Sequence, residues 1–285
     1  MVTNTPASTP MRSTAMHDTA TPQPSPAYAA WLREQTRRSN RIMATRVILL
    51  VAVLVLWEVL ARTHVMNPML TSYPSAVWPT FLELLDSGDL IGHTWATFQA
   101  TLIGFTISMV LGVAVAALLW WSGFAYKVLD PFLVVANAMP KIAFVPIFYI
   151  WLGSEYSVYG MAVAISVFIT IMVVFEGFRG IDPNKIKLAL TLGASKWQLL
   201  TMVVLPGSVP TLLAALKVNI GLALVGVIVG EFQSASEGLG YLIINGSQVF
   251  KLNIVMTAIV VLAVLSGVMY LAIARMEKAT VRRYS

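Results

Sequence analysis

Three polar residues interrupt a long apolar stretch near the middle of the chain: Asp130, Asn137 and Lys141. They are spaced at i, i+7 and i+11, which places them on one face of a helix. Polar side chains in an apolar environment are costly and usually face water or the protein interior. The spacing therefore favours a cavity-lining face on which Lys141 attracts an anion. Two alternatives remain open: Lys141 pairs with a carboxylate such as Asp130, or it extends to a polar interface.

The other residue types that carry chemistry form no catalytic or metal-binding pattern. The sequence has no cysteine, and its three histidines, His17, His64 and His93, are scattered. It contains no G-x-x-x-x-G-K-[ST] loop for nucleotide phosphates, no H-E-x-x-H motif, and no paired carboxylates or serine–lysine pair in helical register. We therefore predict no catalytic residue, no metal site and no cofactor in this chain. An energised function would need ATP bound to a second chain.

The composition is that of a protein embedded in a lipid bilayer. Of the 285 residues, 58% are hydrophobic and 11% are charged, and the mean hydropathy is +0.77, whereas soluble domains have about 25% charged residues. The net charge of +6 is not accompanied by interleaved aromatic residues, so nucleic acid is not an expected partner. The basic residues lie instead at the ends of apolar segments.

Six apolar segments have, or approach, the roughly 20 residues that a helix needs to cross a bilayer core. We predict an all-α polytopic fold with spans near 46–61, 95–121, 129–152, 158–176, 207–230 and 254–274. Residues 1–28 have the composition of a disordered tail. The predicted domains are a tail with a basic cytoplasmic segment, 1–45, and a transmembrane domain, 46–285, with its core at about 95–280. No cleavage site follows Leu60, so the first span is expected to remain in the protein.

Small residues recur at every fourth position of the second predicted span: Ala100, Gly104, Ser108, Gly112 and Ala116. This spacing lets helix backbones approach closely inside a membrane. We expect it to serve tight packing within one bundle, and a dimer face is the alternative.

Lysine and arginine are distributed unequally between the connections. Fifteen of the nineteen precede the first span, follow the last, or lie in the second and fourth connections. This asymmetry predicts a multi-pass protein of the inner or plasma membrane with both termini in the cytoplasm. Lys217, about ten residues into the fifth span, is expected to extend to the interface. The outer side carries the acidic residues Glu83, Asp86, Asp89, Glu155, Glu231 and Glu237.

The polar connection Arg179–Ser195 contains several helix-boundary signals. Asp182 can cap a helix that has Pro183 in its first turn. Gly193 can end that helix in the left-handed conformation, and Ser195 can cap a second helix. The short helix has more apolar residues than a solvated loop needs, which predicts a protein partner. These residues are Ile186, Ala189, Leu190 and Leu192.

The same connection resembles a motif of ABC importer permeases, the membrane components of binding-protein-dependent transport systems. That motif reads E-A-A, three residues, G, nine residues, I-x-L-P. Its spacing, its glycine and its Leu-Pro pair are present here, whereas the glutamate and first alanine are replaced, which puts the polar contact of that glutamate in doubt. The resemblance implies an ATPase-coupling set. It comprises Lys187, Leu188, Ala189, Gly193, Ala194, Ser195, Leu205 and Pro206.

Four further segments are similar to the sulfonate, taurine and nitrate branch of that family. They are Y-P-S-A-V-W from Tyr73, S-G-D-L-I-G-H from Ser87, M-P-K-I-A-F-V-P with W-L-G between Met139 and Gly153, and E-G-L-G-Y-L-I from Glu237. The resemblance covers about residues 55–280. It implies a type I ABC importer permease fold with a cytoplasmic coupling helix, which transports a small anionic solute. A vitamin or pyrimidine precursor is the alternative solute.

The resemblance also implies partners. They are a second permease copy, two ABC ATPase subunits and an extracytoplasmic solute-binding protein. The outer residues Gly238, Leu239, Gly240 and Tyr241 would form part of an outer gate or binding-protein platform, or alternatively a re-entrant packing loop. Residues Ser75 to Leu85 are expected to form an amphipathic helix at the interface.

The rival class is an autonomous channel or secondary transporter, which needs no coupling helix and for which no inverted repeat is found.

Overall fold

The computed structural model describes residues 25–63, 72–234 and 236–284, and all regular elements within these ranges are helical. This confirms the predicted all-α fold. A 3-10 turn, Lys141–Phe144, precedes the fifth helix. The α-helices of nine or more residues are α1 Pro26–Arg62, α2 Pro74–Asp86, α3 Asp89–Trp121, α4 Gly123–Ala138, α5 Val145–Arg179, α6 Pro183–Thr191, α7 Val209–Ser234, α8 Leu239–Gln248 and α9 Leu252–Tyr284.

The chain divides into two compact units, Met1–Leu56 and Trp57–Ser285. The described part of the first unit is the N-terminal portion of α1, so the boundary predicted at residue 45 falls within a helix. The tail predicted to be disordered, 1–28, lies outside the described residues except for its last four, where α1 begins at Pro26. The second unit contains the end of α1 and all of α2 to α9.

Within the described residues, five helical segments are long and apolar enough to cross a membrane. They are Glu34–Arg62, Asp89–Trp121, Lys141–Arg179, Val209–Gln233 and Leu252–Thr280. The interval predicted as one span, 129–152, is instead divided between α4, the 3-10 turn and the start of α5.

Two backbone features explain this difference from the sequence prediction. Pro140 lacks an N–H group and disfavours the helical conformation at the residue before it. Accordingly, α4 stops at Ala138, and Met139 is extended with φ −64° and ψ 143°. Between the predicted third and fourth spans, by contrast, α5 is kinked rather than ended, at Gly153 with φ 78° and ψ 176°. Glycine has no Cβ and adopts this positive φ without steric cost.

Helices α3, α5 and α7 form the centre of the second unit. All five residues of the small-residue pattern in α3 are buried. A Cβ on Gly104 would overlap the Ala162 side chain of α5, and a Cβ on Gly112 would lie 2.8 Å from Cβ of Thr170. Helix α7 meets α5 at Gly226, where an added Cβ would lie 2.5 Å from Cα of Ala162. The pattern therefore serves packing within the bundle, as predicted.

A buried hydrogen-bond network joins the same three helices. Asn219 of α7 donates from Nδ2 to Oγ of Ser108 in α3 at 2.9 Å and to Oγ1 of Thr170 in α5 at 2.5 Å. The Ser166 hydroxyl donates to Oγ of Ser108 at 2.8 Å. All four side chains are buried. Such interhelical hydrogen bonds hold membrane helices together where apolar surface has little reason to associate.

Apolar clusters lie at each end of this three-helix centre. At one end, Phe175 and Phe178 of α5 pack against Leu200 and Val204, which follow α6. At the other end, Leu239 and Leu242 of α8 pack with Leu90 and Ala258. Phe81 packs against this second cluster from α2, while Trp78 on the same helix is exposed. The helix predicted over residues 75–85 is thus present as α2.

The close approach at Gly226 predicts that Gly226→Ala destabilises the protein by about 1–3 kcal/mol, because the new methyl group meets backbone atoms of α5 that cannot move aside. Gly221→Ala is the matched control in the same helix, since its Cβ would have no neighbour within 4 Å. We expect thermal unfolding in detergent, followed by tryptophan fluorescence, to shift downward for Gly226→Ala only. Equal midpoints for the two variants would contradict the packing assigned to α5 and α7.

Candidate functional site

The connection predicted to lie between the fourth and fifth spans forms a short helix with defined ends. Asp182 accepts a hydrogen bond from the Asn184 N–H at 2.8 Å, and Pro183 occupies the first turn of α6. At the other end, Gly193 has φ 83°. The N–H of Gly193 donates to the Leu190 carbonyl, and the N–H of Ala194 donates to the Ala189 carbonyl, both at 3.0 Å. This is the Schellman arrangement, and it confirms the helix end predicted at Gly193.

The chain then continues into a second helical segment. Ser195 and Gln198 form a capping box, in which the Ser195 hydroxyl accepts from the Gln198 N–H at 3.3 Å and Oε1 of Gln198 accepts from the Ser195 N–H at 2.8 Å. The next six residues, Leu199–Val204, form a π-helical turn that the sequence did not predict. Leu199, Leu200 and Val204 are buried, so this turn fixes the second segment to the bundle.

The exposed surface of α6 and of the turn that follows it carries leucines as well as polar residues such as Lys185 and Lys187. Leu188, Leu190 and Leu192 are 62%, 52% and 80% exposed, and Trp197 beyond them is 64% exposed. Ile186 and Ala189, which the sequence also assigned to the partner surface, are only half-buried within the chain. Large side chains of this kind on a short polar-flanked helix are typical of a surface that another protein covers.

The candidate pathway residues are only partly brought together. Lys141 donates from Nζ to the main-chain carbonyl of Asn137 at 2.7 Å, and Nζ lies 5.7 Å from the centre of the Phe168 ring. Oδ1 of Asn137 is buried and has no hydrogen-bond partner within the described part of the chain. Asp130 is not among the ion pairs recorded in the described residues, so the alternative in which it pairs with Lys141 is not observed. The Asn137 carbonyl needs a donor because α4 ends at Ala138.

Lys217, which was expected to extend to the interface, also has an ion-pair partner in the structure. Its ammonium group forms an ion pair with the carboxylate of Glu277 in α9. The pairing arises because α7 and α9 pack together in the bundle. This ion pair was not predictable from local sequence, since the two residues are 60 positions apart.

At the opposite end of the bundle, the residues Gly238 to Tyr241, here called the outer segment, begin α8. Three successive N–H groups donate to side chains of other helices. Gly238 donates to Nδ1 of His93 at 3.0 Å, Leu239 to Oγ1 of Thr97 at 2.8 Å, and Gly240 to Oε2 of Glu231 at 2.7 Å. Leu239 is fully buried, whereas Tyr241 is half-buried, with its ring 5.6 Å from that of His93. The segment is therefore docked on the bundle.

Sequence reasoning missed two residues of this end, Glu231 and Thr97. Glu231 was assigned to the outer side with the other acidic residues, but it is 3% exposed and accepts a hydrogen bond from the Thr97 hydroxyl at 2.8 Å. Thr97 is fully buried. The partners are 134 positions apart in sequence, so only the packing of α3 on α7 reveals them. The available signal was a carboxylate directly after the apolar run of α7.

These features define the class of protein. A bundle of long apolar helices carries a capped helix with exposed leucines at one end, which is the arrangement of a type I importer permease. The chain belongs to the family described as binding-protein-dependent transport system inner membrane component, whose profile matches residues 104–284. The protein is therefore a non-catalytic membrane component of an ABC importer.

Known proteins agree with this assignment. The chain is 29% identical to the putative aliphatic sulfonates transport permease protein SsuC of Bacillus subtilis, over 76% of this chain and 79% of that protein. It is 32% identical to the formylaminopyrimidine transport permease protein ThiX of Halalkalibacterium halodurans, over 66% and 75%. Its fold is similar to a chain of the inward-facing MetNI methionine ABC transporter, with a TM-score of 0.60 at 17% identity, covering 68% of this chain and 96% of that one.

The capping box predicts a local effect of Ser195→Ala. The side-chain acceptor for the Gln198 N–H is lost, which should destabilise the second segment by about 0.5–2 kcal/mol. We expect faster amide hydrogen exchange across residues 196–204, whereas exchange in α3 should not change. Thr201→Val is the control, because the Thr201 hydroxyl only donates to the Trp197 carbonyl inside the same segment. Unchanged exchange in Ser195→Ala would mean that the capping box does not stabilise this segment.

Proposed function

We propose that α6 is the coupling helix of this permease and that its exposed leucines bind a groove on a separate ABC ATPase subunit, where ATP is bound. The observation that carries the proposal is the combination of exposed leucines with fixed helix ends. Leu188 and Leu192 are exposed on a helix that Asp182 begins and Gly193 ends. A helix held at both ends transmits a push from a partner, whereas a loose loop would absorb it.

The proposed assembly contains two copies of this chain, two ATPase subunits and an extracytoplasmic solute-binding protein. Its orientation follows from the excess of lysine and arginine around α6 and at both termini, which favours the cytoplasm for that end. The outer segment, Gly238 to Tyr241, then lies at the opposite end and faces the binding protein. Family membership supports this arrangement, since its description names a binding-protein-dependent system.

We propose a small anionic solute of the sulfonate, taurine or nitrate type. Two observations support it: the similarity to a relative described as an aliphatic sulfonates permease, and the ammonium group of Lys141 beside the break between α4 and α5. A pyrimidine precursor is the second candidate, because a relative of 32% identity is described as a formylaminopyrimidine permease. Family membership disfavours an autonomous channel, because the chain belongs to a family of binding-protein-dependent systems.

The coupling proposal predicts the effect of Gly193→Val. A Cβ at this position meets no atom within 4 Å, so the strain comes only from the backbone at φ 83°. A β-branched residue there costs about 1–3 kcal/mol or redirects the chain, and either outcome displaces α6. We expect the variant to insert in the membrane normally but to lose ATPase association in a pull-down, or to lose stimulation of ATP hydrolysis by loaded binding protein.

Two controls accompany that experiment. Gly193→Asn should be milder, because asparagine tolerates the left-handed conformation better than other residues. Gly123→Val introduces the same side chain at the start of α4, where a Cβ also has no neighbour within 4 Å and φ is not positive. It should behave like the wild type. If Gly193→Val also bound and activated the ATPase normally, α6 would not be the coupling element.

The anion proposal predicts that Lys141→Met lowers solute uptake about tenfold, which corresponds to about 1.4 kcal/mol, while assembly remains intact. Lys141→Arg should retain part of the activity because the positive charge remains. Lys127→Met is the matched control, since Lys127 is an exposed lysine of α4 outside the candidate pathway set. The effect is measured in proteoliposomes that contain the complete importer, as uptake of taurine, a short alkanesulfonate and nitrate. Normal uptake by Lys141→Met would exclude Lys141 from the pathway.

A further inference from the structure

The start of α8 is held by side chains from two other helices. A helix start leaves its first N–H groups without partners inside the helix, and a side chain at the cap usually satisfies one of them. Gly238 occupies the cap here and has no side chain to do so. Instead, the N–H groups of Gly238, Leu239 and Gly240 reach His93 and Thr97 of α3 and Glu231 of α7. The conformation of the outer segment therefore depends on groups outside it.

Glu231 is the central group of this contact. Its carboxylate accepts from the Thr97 hydroxyl through both oxygens, at 2.8 and 3.1 Å, and from the Gly240 N–H at 2.7 Å. The Thr97 oxygen in turn accepts from the Leu239 N–H. A carboxylate that is 3% exposed is costly unless its oxygens are hydrogen-bonded. Both oxygens are used here, so the side chain and the outer segment fix each other.

The two glycines of the outer segment fit the shape of this carboxylate. A Cβ on Gly240 would lie 2.8 Å from Cβ of Glu231 and 2.9 Å from its Oε2. A Cβ on Gly238 would overlap the carboxylate group itself, and φ at Gly238 is 112°. The spacing Gly-Leu-Gly thus lets the backbone approach a carboxylate on another helix closely enough to donate to it. It is explained by Glu231 rather than by loop flexibility.

We propose that Glu231 is a positioning residue for the binding-protein contact: with Thr97, it holds the buried residues Gly238 to Gly240 against α3, so that Tyr241, the half-exposed residue of the outer segment, is presented in the conformation that the binding protein recognises. This inference rests on the proposed function, because it requires that the outer segment faces the binding protein. A buried carboxylate of α7 thus preforms the surface that the binding protein meets. The same carboxylate links α3, α7 and the start of α8, so these elements respond together when the bundle rearranges.

Glu231→Gln tests this role with little change in shape. The amide has one acceptor oxygen where the carboxylate uses two, so either Gly240 or Thr97 loses its acceptor. We expect the concentration of loaded binding protein that gives half-maximal ATP hydrolysis to rise at least about fivefold. Hydrolysis without binding protein should stay within about twofold of the wild type. Glu155→Gln is the control, because Glu155 is an exposed carboxylate at the same end of the bundle.

Thr97 provides a conservative pair of variants. Thr97→Ser keeps the hydroxyl that links Leu239 to Glu231 and should retain the wild-type dependence on binding protein. Thr97→Val removes the hydroxyl at nearly constant volume and should shift that dependence as Glu231→Gln does. Both residues act in one network. The double variant Thr97→Val with Glu231→Gln should therefore raise the half-saturating concentration of binding protein by less than the two separate shifts combined. Purely additive shifts would contradict a shared positioning role.

A second measurement does not need the binding protein. The sequence has no cysteine, so Glu237→Cys places one unique spin label next to the outer segment. We expect greater label mobility in the Glu231→Gln background than in the Glu155→Gln background. The positioning role is overturned if Glu231→Gln changes neither the mobility of the label nor the half-saturating concentration of binding protein. It is also overturned if the variant lowers ATP hydrolysis equally with and without binding protein while both of those quantities stay the same. If binding protein never stimulates the wild type, the proposed function fails, and label mobility alone decides the role of Glu231.

Discussion

The lack of water inside a bilayer is the constraint on which the rest of this structure depends. Polar groups at that depth must find partners within the protein, and apolar surface alone does not drive helices together. The chain answers both demands at the contact of α3, α5 and α7, where Oδ1 of Asn219 is the buried side-chain atom left without a partner among the described residues. Small residues such as Gly104 and Gly226 let the backbones approach, and Asn219 then reaches Ser108 and Thr170 on the two neighbouring helices. Loss of the close approach would also separate these hydrogen-bonding partners.

Both candidate functional ends are attached to this three-helix centre. At one end, Leu200 and Val204 of the π-helical turn pack on Phe175 and Phe178 of α5. At the other end, Glu231 of α7 and Thr97 of α3 hold the outer segment. Because α5 and α7 each run through the centre, a displacement of α6 is carried by packed helices rather than by flexible connections. This gives the proposed coupling a physical route from the ATPase side to the binding-protein side.

The sequence predicted local features of this protein better than contacts between distant segments. The ends of α6 followed from Asp182, Gly193 and Ser195, because capping depends on residues within a few positions of one another. The ion pair of Lys217 with Glu277 and the burial of Glu231 were not predictable, because their partners are brought close only by helix packing. The third span was misjudged for a related reason: hydropathy continues across Pro140 and Gly153, although the backbone does not remain one straight helix.

The break at Pro140 reconciles the two interpretations of Lys141, structural and functional. Ending α4 leaves the Asn137 carbonyl without its helical donor, and the Lys141 ammonium replaces that donor at 2.7 Å. An ammonium group has three N–H donors, and this bond uses one of them. Capping the helix therefore holds the charge in place without consuming its capacity to bind an anion. Oδ1 of Asn137 is buried without a partner among the described residues and adds polar surface at this break, and irregular backbone inside a membrane is tolerated only next to protein or a water-filled space. A lysine fixed in this way is better prepared to meet a solute than one that moves freely, because less side-chain entropy is lost on binding.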